Sequence, residues 1–140
     1  MKYSTRTRYG LRFLVYLAAH SGERYVQLSE IEKQEKISLR YLEQIIRLLK
    51  PSGVLLSLRG KYGGYKLSRP AEDIILSDLV EHLEGDLAPI ACLGPDKSCE
   101  RFVDCPTLPM WKELQSLIVS FLQEKTLKDL LNQQKQKVSG

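Results

Sequence analysis

The sequence lacks any long apolar run. A bilayer crossing needs roughly 20 apolar residues in succession, whereas the stretch from Phe13 to Ala19 is only seven residues long and follows Arg12. The opening Met1 to Arg6 carries positive charge but leads into no apolar segment with a small-residue cleavage site, so no secretory address is read. A cytoplasmic chain with no membrane partner is expected. Histidine is scarce: His20 and His82 are the only two, and neither lies near a cysteine. The chain also contains no G-x-S-x-G, H-E-x-x-H, phosphate-loop or dinucleotide fingerprint, which argues against an enzyme. Cysteine is limited to three residues, an odd set that makes a poor disulfide framework and directs attention to metal or thiol chemistry. At 140 residues the chain can bury one core but is short for a two-domain enzyme.

Charge is abundant and unevenly placed. Residues 1–70 hold 14 Lys and Arg against 5 Asp and Glu, a balance of +9; residues 71–140 hold 7 against 12, a balance of −5. A strongly basic half points to a polyanion such as nucleic acid.

The spacing of apolar residues predicts a mainly α-helical chain. Tyr9, Phe13, Leu14, Tyr16 and Leu17 recur at helical intervals between Thr5 and about His20, with Arg6, Arg8 and Arg12 among them. A short helix from Leu28 to about Lys36 precedes Ser38, a good N-cap residue. Leu42, Ile45, Ile46 and Leu49 then give an i, i+3, i+4, i+7 stripe that ends at Pro51-Ser52-Gly53. Arg40, Arg47 and Lys50 lie off that stripe. Two short helices joined tightly, the second with a basic outer side, form a helix-turn-helix pattern.

Val54 to Leu58 reads as a strand, Arg59-Gly60-Lys61-Tyr62-Gly63-Gly64 as a glycine-rich turn, and Tyr65 to Arg69 as the return strand. A basic hairpin straight after a helix-turn-helix is a wing, and Arg59 and Lys61 at its narrow tip suit a minor groove. Beyond Pro70, Ser77 is expected to cap a helix that ends at Gly85. Residues 86–107 show no helical period. A stripe of Trp111, Leu114, Leu117, Ile118, Phe121 and Leu122 then predicts a helix from about Leu108, roughly 25 Å long. Burying that stripe against a second copy would place two recognition helices one DNA turn apart. A last short helix follows Thr126.

All three cysteines fall in the aperiodic loop, as Cys92-x6-Cys99-x5-Cys105. Three thiols within 14 residues can converge on one metal centre, and thiolates favour zinc, copper(I) and iron–sulfur clusters. Zinc, a reversible disulfide and plain structural thiols remain alternatives.

The chain resembles the IscR-type iron–sulfur regulators of bacteria, a family that includes NsrR, RirA and CymR. The resemblance rests on Thr7-Arg8-Tyr9-Gly10-Leu11, on Ile37-Ser38-Leu39-Arg40-Tyr41-Leu42-Glu43-Gln44, and on Arg59-Gly60-Lys61-Tyr62-Gly63-Gly64-Tyr65. The three loop cysteines, Trp111, Phe121-Leu122 and Thr126-Leu127 extend it over nearly the whole length. It implies a homodimeric winged-helix transcription regulator on a two-fold duplex DNA operator, with a 2Fe–2S or 4Fe–4S cluster on Cys92, Cys99 and Cys105. It implies DNA reading by Arg40, Glu43, Gln44 and the wing's Arg59. Those residue types have the chemistry for base reading, since Gln pairs with adenine, Arg with guanine, and Glu accepts from cytosine. Ser38 and Lys61 join this set, while Arg6 and Arg8, with the Thr5 and Thr7 hydroxyls, suit phosphates.

Two departures concern the cluster. The IscR pattern has five residues between its first two cysteines and a histidine three residues after the third, where this chain has six residues and Leu108. The acidic ligand of the NsrR pattern falls at Arg8. The candidate fourth ligands are therefore Asp104, Glu100 and Asp96, with Glu43 at longer range. The expected division is a winged helix-turn-helix at 1–75, the cysteine loop and dimerisation helices at 76–132, and a flexible tail at 133–140. A metal-free or zinc- or thiol-based regulator is the alternative.

Overall fold

The computed structural model describes residues 2–20, 22, 24–90, 93–94 and 104–139, with side chains described as far as 134. The chain forms helices α1 (Thr5–His20), α2 (Leu28–Glu35) and α3 (Leu39–Leu49), strands β1 (Leu55–Leu58) and β2 (Gly64–Leu67), and helices α4 (Leu76–Glu84), α5 (Leu108–Glu124) and α6 (Leu127–Ser139). This is the expected winged helix-turn-helix followed by a long helix.

The core is built on α1. Phe13, Leu14 and Leu17 are fully buried, and Ile31, Leu42, Ile45, Leu49, Val54, Leu79, Leu83 and Leu127 close around them. Each such side chain contributes about 1.5–3 kcal/mol on leaving water. One core therefore takes residues from both sides of position 75.

The turn between α2 and α3 is fixed at both ends. Lys36 adopts a left-handed conformation at φ 56°, ending α2, and its N–H donates to the Glu32 carbonyl. The Ser38 hydroxyl accepts from the Tyr41 N–H at 3.1 Å, as expected of an N-cap, and the Glu32 carboxylate accepts from the Leu39 N–H at 2.6 Å. Two acceptors thus satisfy the first free donors of α3, where negative charge also favours the helix dipole. Arg12 on α1 donates to the Glu35 carbonyl at 2.7 Å and lies over the Tyr9 ring, which meets Tyr41 edge-on at 5.7 Å.

Strands β1 and β2 pair antiparallel, Leu55 opposite Leu67 through Leu58 opposite Gly64. The return strand begins one residue earlier than expected and ends at Leu67, because Ser68 and Arg69 turn towards Pro70. The wing is anchored by Val26, whose N–H and carbonyl both pair with Tyr65, at 2.8 and 2.9 Å.

Ser77 does not cap α4. The helix starts at Leu76, after Ile75, and Ser77 is buried in its first turn. A long-range bridge sets this start: Ile75 pairs with Thr126, Leu76 N–H donates to Lys125 O and Leu127 N–H to Ile74 O, each at 2.9 Å. Gly85 ends α4, as expected. Thr126 and Asp129 exchange hydrogen bonds as a capping box for α6. That helix runs on through Ser139, so the backbone of 133–139 is helical where a tail was expected; no Gly or Pro interrupts 127–139, and Gln and Lys are good helix formers. No helix among the described residues is long and apolar enough to cross a membrane.

Candidate nucleic-acid interface

The apolar stripe of α3 dictates what its other side presents. Leu42, Ile45, Ile46 and Leu49 are buried, so Arg40, Glu43, Gln44 and Arg47, also at i, i+3, i+4, i+7, form one exposed row. Three of the four residues in that row are expected base readers. Ser38 stands at the N-terminal end, exposed, with its hydroxyl oxygen engaged by Tyr41. Arg59 and Lys61 are exposed on the wing turn. Gln27 donates to the Lys61 carbonyl at 2.5 Å, which ties the tip to the segment before α2, and the Lys61 ammonium sits 5.7 Å from the Tyr62 ring centre.

Apart from Arg8, the described arginines divide into two groups. Arg6, Arg12, Arg24 and Arg69 are consumed within the fold: Arg6 donates to the Leu83 and Glu84 carbonyls, Arg12 to Glu35, Arg24 to Glu30 and Arg69 to Asp73. Arg40, Arg47 and Arg59, together with Lys50, have no such partner among the described residues. The unspent arginines among the described residues gather on α3 and the wing.

This sorting corrects part of the expected phosphate set. Arg6 caps the C-terminus of α4, where a cation favours the helix dipole. Thr7 is buried, and its hydroxyl donates to the Glu84 carboxylate. The same carboxylate oxygen accepts from the Ser4 N–H at 2.9 Å and the Ser4 hydroxyl at 2.8 Å. Burial raises the Glu84 carboxyl, but the hydrogen bonds from Thr7 and Ser4 outweigh it and hold the group below its ordinary value. Arg8 donates to the Thr5 hydroxyl at 3.3 Å and lines a groove against α5. These long-range roles left no local signal in the sequence. Arg47 did leave one, seven residues after Arg40 on the same row.

A second polar network ties α1 to α2 through the segment between them. Glu30 accepts from both Arg24 nitrogens, at 3.1 and 3.0 Å, and from the Tyr16 hydroxyl at 2.5 Å. The Arg24 and then the Tyr16 hydrogen bonds hold the Glu30 carboxyl below its ordinary range. Burial and the Glu30 partner push Tyr16 up to about 12.

The groove beside Arg8 is almost wholly apolar and holds about 570 Å³ between α1, α4 and α5, with Leu11, Val80, Ile118 and Leu122 in its walls. Along α5, Met110, Leu117 and Phe121 are 54%, 61% and 59% exposed. The expected long stripe is present, and two of its six side chains, Leu117 and Phe121, are exposed among the described residues.

Of the loop, Cys105 and Asp104 are described; Cys92, Cys99, Asp96 and Glu100 lie outside the described residues. Cys105 is half-buried just before α5, its Sγ 3.3 Å from the Thr107 hydroxyl, and Asp104 is exposed beside it. Leu108, at the histidine position of the IscR pattern, is buried. Glu43 stays on the outer row of α3. No group of three metal-ligand side chains occurs among the described residues.

Residues 3–133 match Rrf2, described as an iron-dependent transcriptional regulator. The chain belongs to the Rrf2 family. The protein rrf2 of Nitratidesulfovibrio vulgaris is 39% identical over 131 residues, 94% of this chain and 87% of that protein. The structure of CymR, the global cysteine regulator of Bacillus subtilis, has a TM-score of 0.76 at 32% identity and covers 94% of this chain and 97% of its own. IscR of T. potens has a TM-score of 0.76 at 34% identity, with 95% and 88% covered. As an Rrf2 member with these relatives, the chain is a DNA-binding winged-helix transcription regulator and not an enzyme.

Proposed function

We propose that this Rrf2 chain works as a homodimer on a two-fold duplex operator, and that an iron–sulfur cluster on Cys92, Cys99 and Cys105 governs its occupancy. The observation that carries the DNA side is the sorting of arginines, since those left without an internal partner among the described residues line α3 and the wing. Arg40, Glu43 and Gln44 read base edges in the major groove, and Arg59 and Lys61 enter the adjoining minor groove. Ser38 sets the start of α3, and Arg8 contributes charge from α1. The exposed α5 face, with Leu117 and Phe121, supports a second copy as its cover, because two-fold pairing along a helix of this length suits half-sites about 34–36 Å apart.

The cluster rests on donor chemistry. Three thiols in one loop suit iron and sulfide, and Cys105 is half-buried and close to a hydroxyl that can hydrogen-bond its sulfur. When bound, such a cluster supplies a centre sensitive to oxygen, iron supply and redox state. The chain's own part is to hold the loop against the start of α5 and to offer Asp104, Glu100, Asp96 or Glu43 as a fourth ligand. With neither histidine nor the acidic N-terminal residue in the expected places, that fourth bond is weak and the centre labile. A second reading, regulation without a cluster, draws support from the equal similarity to CymR, itself described as a cysteine regulator.

Anaerobic isolation separates the two. The cluster reading expects coloured protein containing iron and acid-labile sulfide, lost in Cys92→Ser, Cys99→Ser and Cys105→Ser. Colourless protein after reconstitution, with DNA binding intact, supports the second.

A further inference from the structure

Between the C-terminal turn of α3 and the root of the wing lies a groove of about 310 Å³ lined by Glu43, Ile46, Arg47, Lys50 and Tyr65. We propose that this groove seats one backbone phosphate of duplex DNA, held by Arg47 and Lys50 with the Tyr65 hydroxyl. The proposal rests on the DNA reading above and adds a contact to it.

Geometry fixes the occupant. If α3 lies in a major groove and the wing in the next minor groove, the sugar–phosphate strand that divides the two must pass between them. The gap between α3 and β2 is where it passes. Its walls are rigid: Ile46 is buried in the core, and Tyr65 is paired on one side with Val26 and on the other with Ser57. The spacing therefore exists before DNA arrives. Both cations are exposed and without an internal partner among the described residues, and the Tyr65 hydroxyl likewise has no partner among them. Glu43 lies one turn nearer the base-reading end, and its carboxylate repels a phosphate there, which confines the seat to the Arg47–Lys50 end.

The test is DNA affinity against salt concentration for wild type, Arg47→Gln, Lys50→Gln, the double variant and Tyr65→Phe. Each protein is measured on a duplex selected by the wild type and on an unrelated duplex of equal length. Loss of both cations is expected to lower the salt slope by about 0.9, which is about eightfold in affinity at 0.1 M salt, equally on both duplexes, with each single variant falling between wild type and the double variant. Tyr65→Phe is expected to weaken binding without changing the slope, since it removes a neutral donor. A duplex with one methylphosphonate at the seated position is expected to weaken wild type and leave the double variant unaffected.

An unchanged slope in the double variant, while wild type keeps a steep one, overturns the seat and leaves the DNA reading standing. A loss confined to the selected duplex overturns it in favour of base reading, and a lowered melting temperature with an unchanged slope in favour of a purely structural role. Inorganic phosphate that competes with DNA beyond an equal ionic strength of chloride overturns it in favour of a free anion. Wild type that binds neither duplex refutes the DNA reading itself.

Discussion

The wing approaches the body closely at Val26, and two glycine substitutions measure what that approach is worth. Gly60 and Gly64 both have positive φ, at 109° and 143°. An alanine Cβ at Gly60 meets nothing within 4 Å, so Gly60→Ala costs only its backbone conformation, about 1–3 kcal/mol. At Gly64 the added Cβ would sit 2.2 Å from the Val26 carbonyl oxygen and 2.5 Å from its carbon. The nearest atoms are all backbone of Val26 and Gln27, which cannot swing aside as a side chain can, so β2 must part from Val26. The two hydrogen bonds between Val26 and Tyr65 are then lost, at about 1 kcal/mol each, and the total reaches about 3–5 kcal/mol. Urea unfolding should show Gly64→Ala less stable than Gly60→Ala by about 2 kcal/mol. Amide exchange should show the Val26 and Tyr65 N–H groups deprotected only in Gly64→Ala. Equal losses in the two variants, or protected amides in Gly64→Ala, would refute the Val26 contact as the anchor of the wing.

Other outcomes follow from the same geometry. Glu84→Gln weakens the acceptor shared by Ser4 and Thr7 and should cost about 1–2 kcal/mol at neutral pH. Because Glu84 and Glu30 are held below 4.5 in the folded chain, the stability they confer is full above that value and lost as pH falls through the lowered one. The gap between Glu84→Gln and wild type in thermal melts should therefore close on acidification; a gap that widened would contradict the assignment. If the proposed homodimer closes over α5, Phe121→Asp, at a side chain 59% exposed, should leave the helical signal intact and sediment as a monomer where wild type sediments as a dimer. Gln44→Ala should cost about 1–3 kcal/mol on the preferred operator and much less on unrelated DNA, as seen by competition binding.

The helix-turn-helix and wing were legible because their signals are local. The Leu42–Ile45–Ile46–Leu49 stripe defines the buried side of α3 and, by complement, the row from Arg40 to Arg47. The Gly60 to Gly64 run marked the wing turn. What escaped the sequence depends on partners far along the chain. Ser77 has the chemistry of a cap, but the Ile75–Thr126 bridge starts the helix earlier and buries it. Arg6 and Thr7 look available for phosphate until α4 folds back and supplies the Leu83 and Glu84 acceptors. The cysteine spacing announces thiolate chemistry, whereas its geometry depends on how a loop without periodicity is gathered.

The central claim is that the outer row of α3 and the wing together read DNA. Selection of bound duplexes from a random pool, with wild type and with Gln44→Ala and Arg59→Ala, tests it most directly. Wild type is expected to enrich a two-fold sequence with half-sites about one helical turn apart, Gln44→Ala to change the preferred base at one position in each half, and Arg59→Ala to relax an A·T preference beside it. Enrichment of the same sequence by all three proteins, or of none by the wild type, would contradict it.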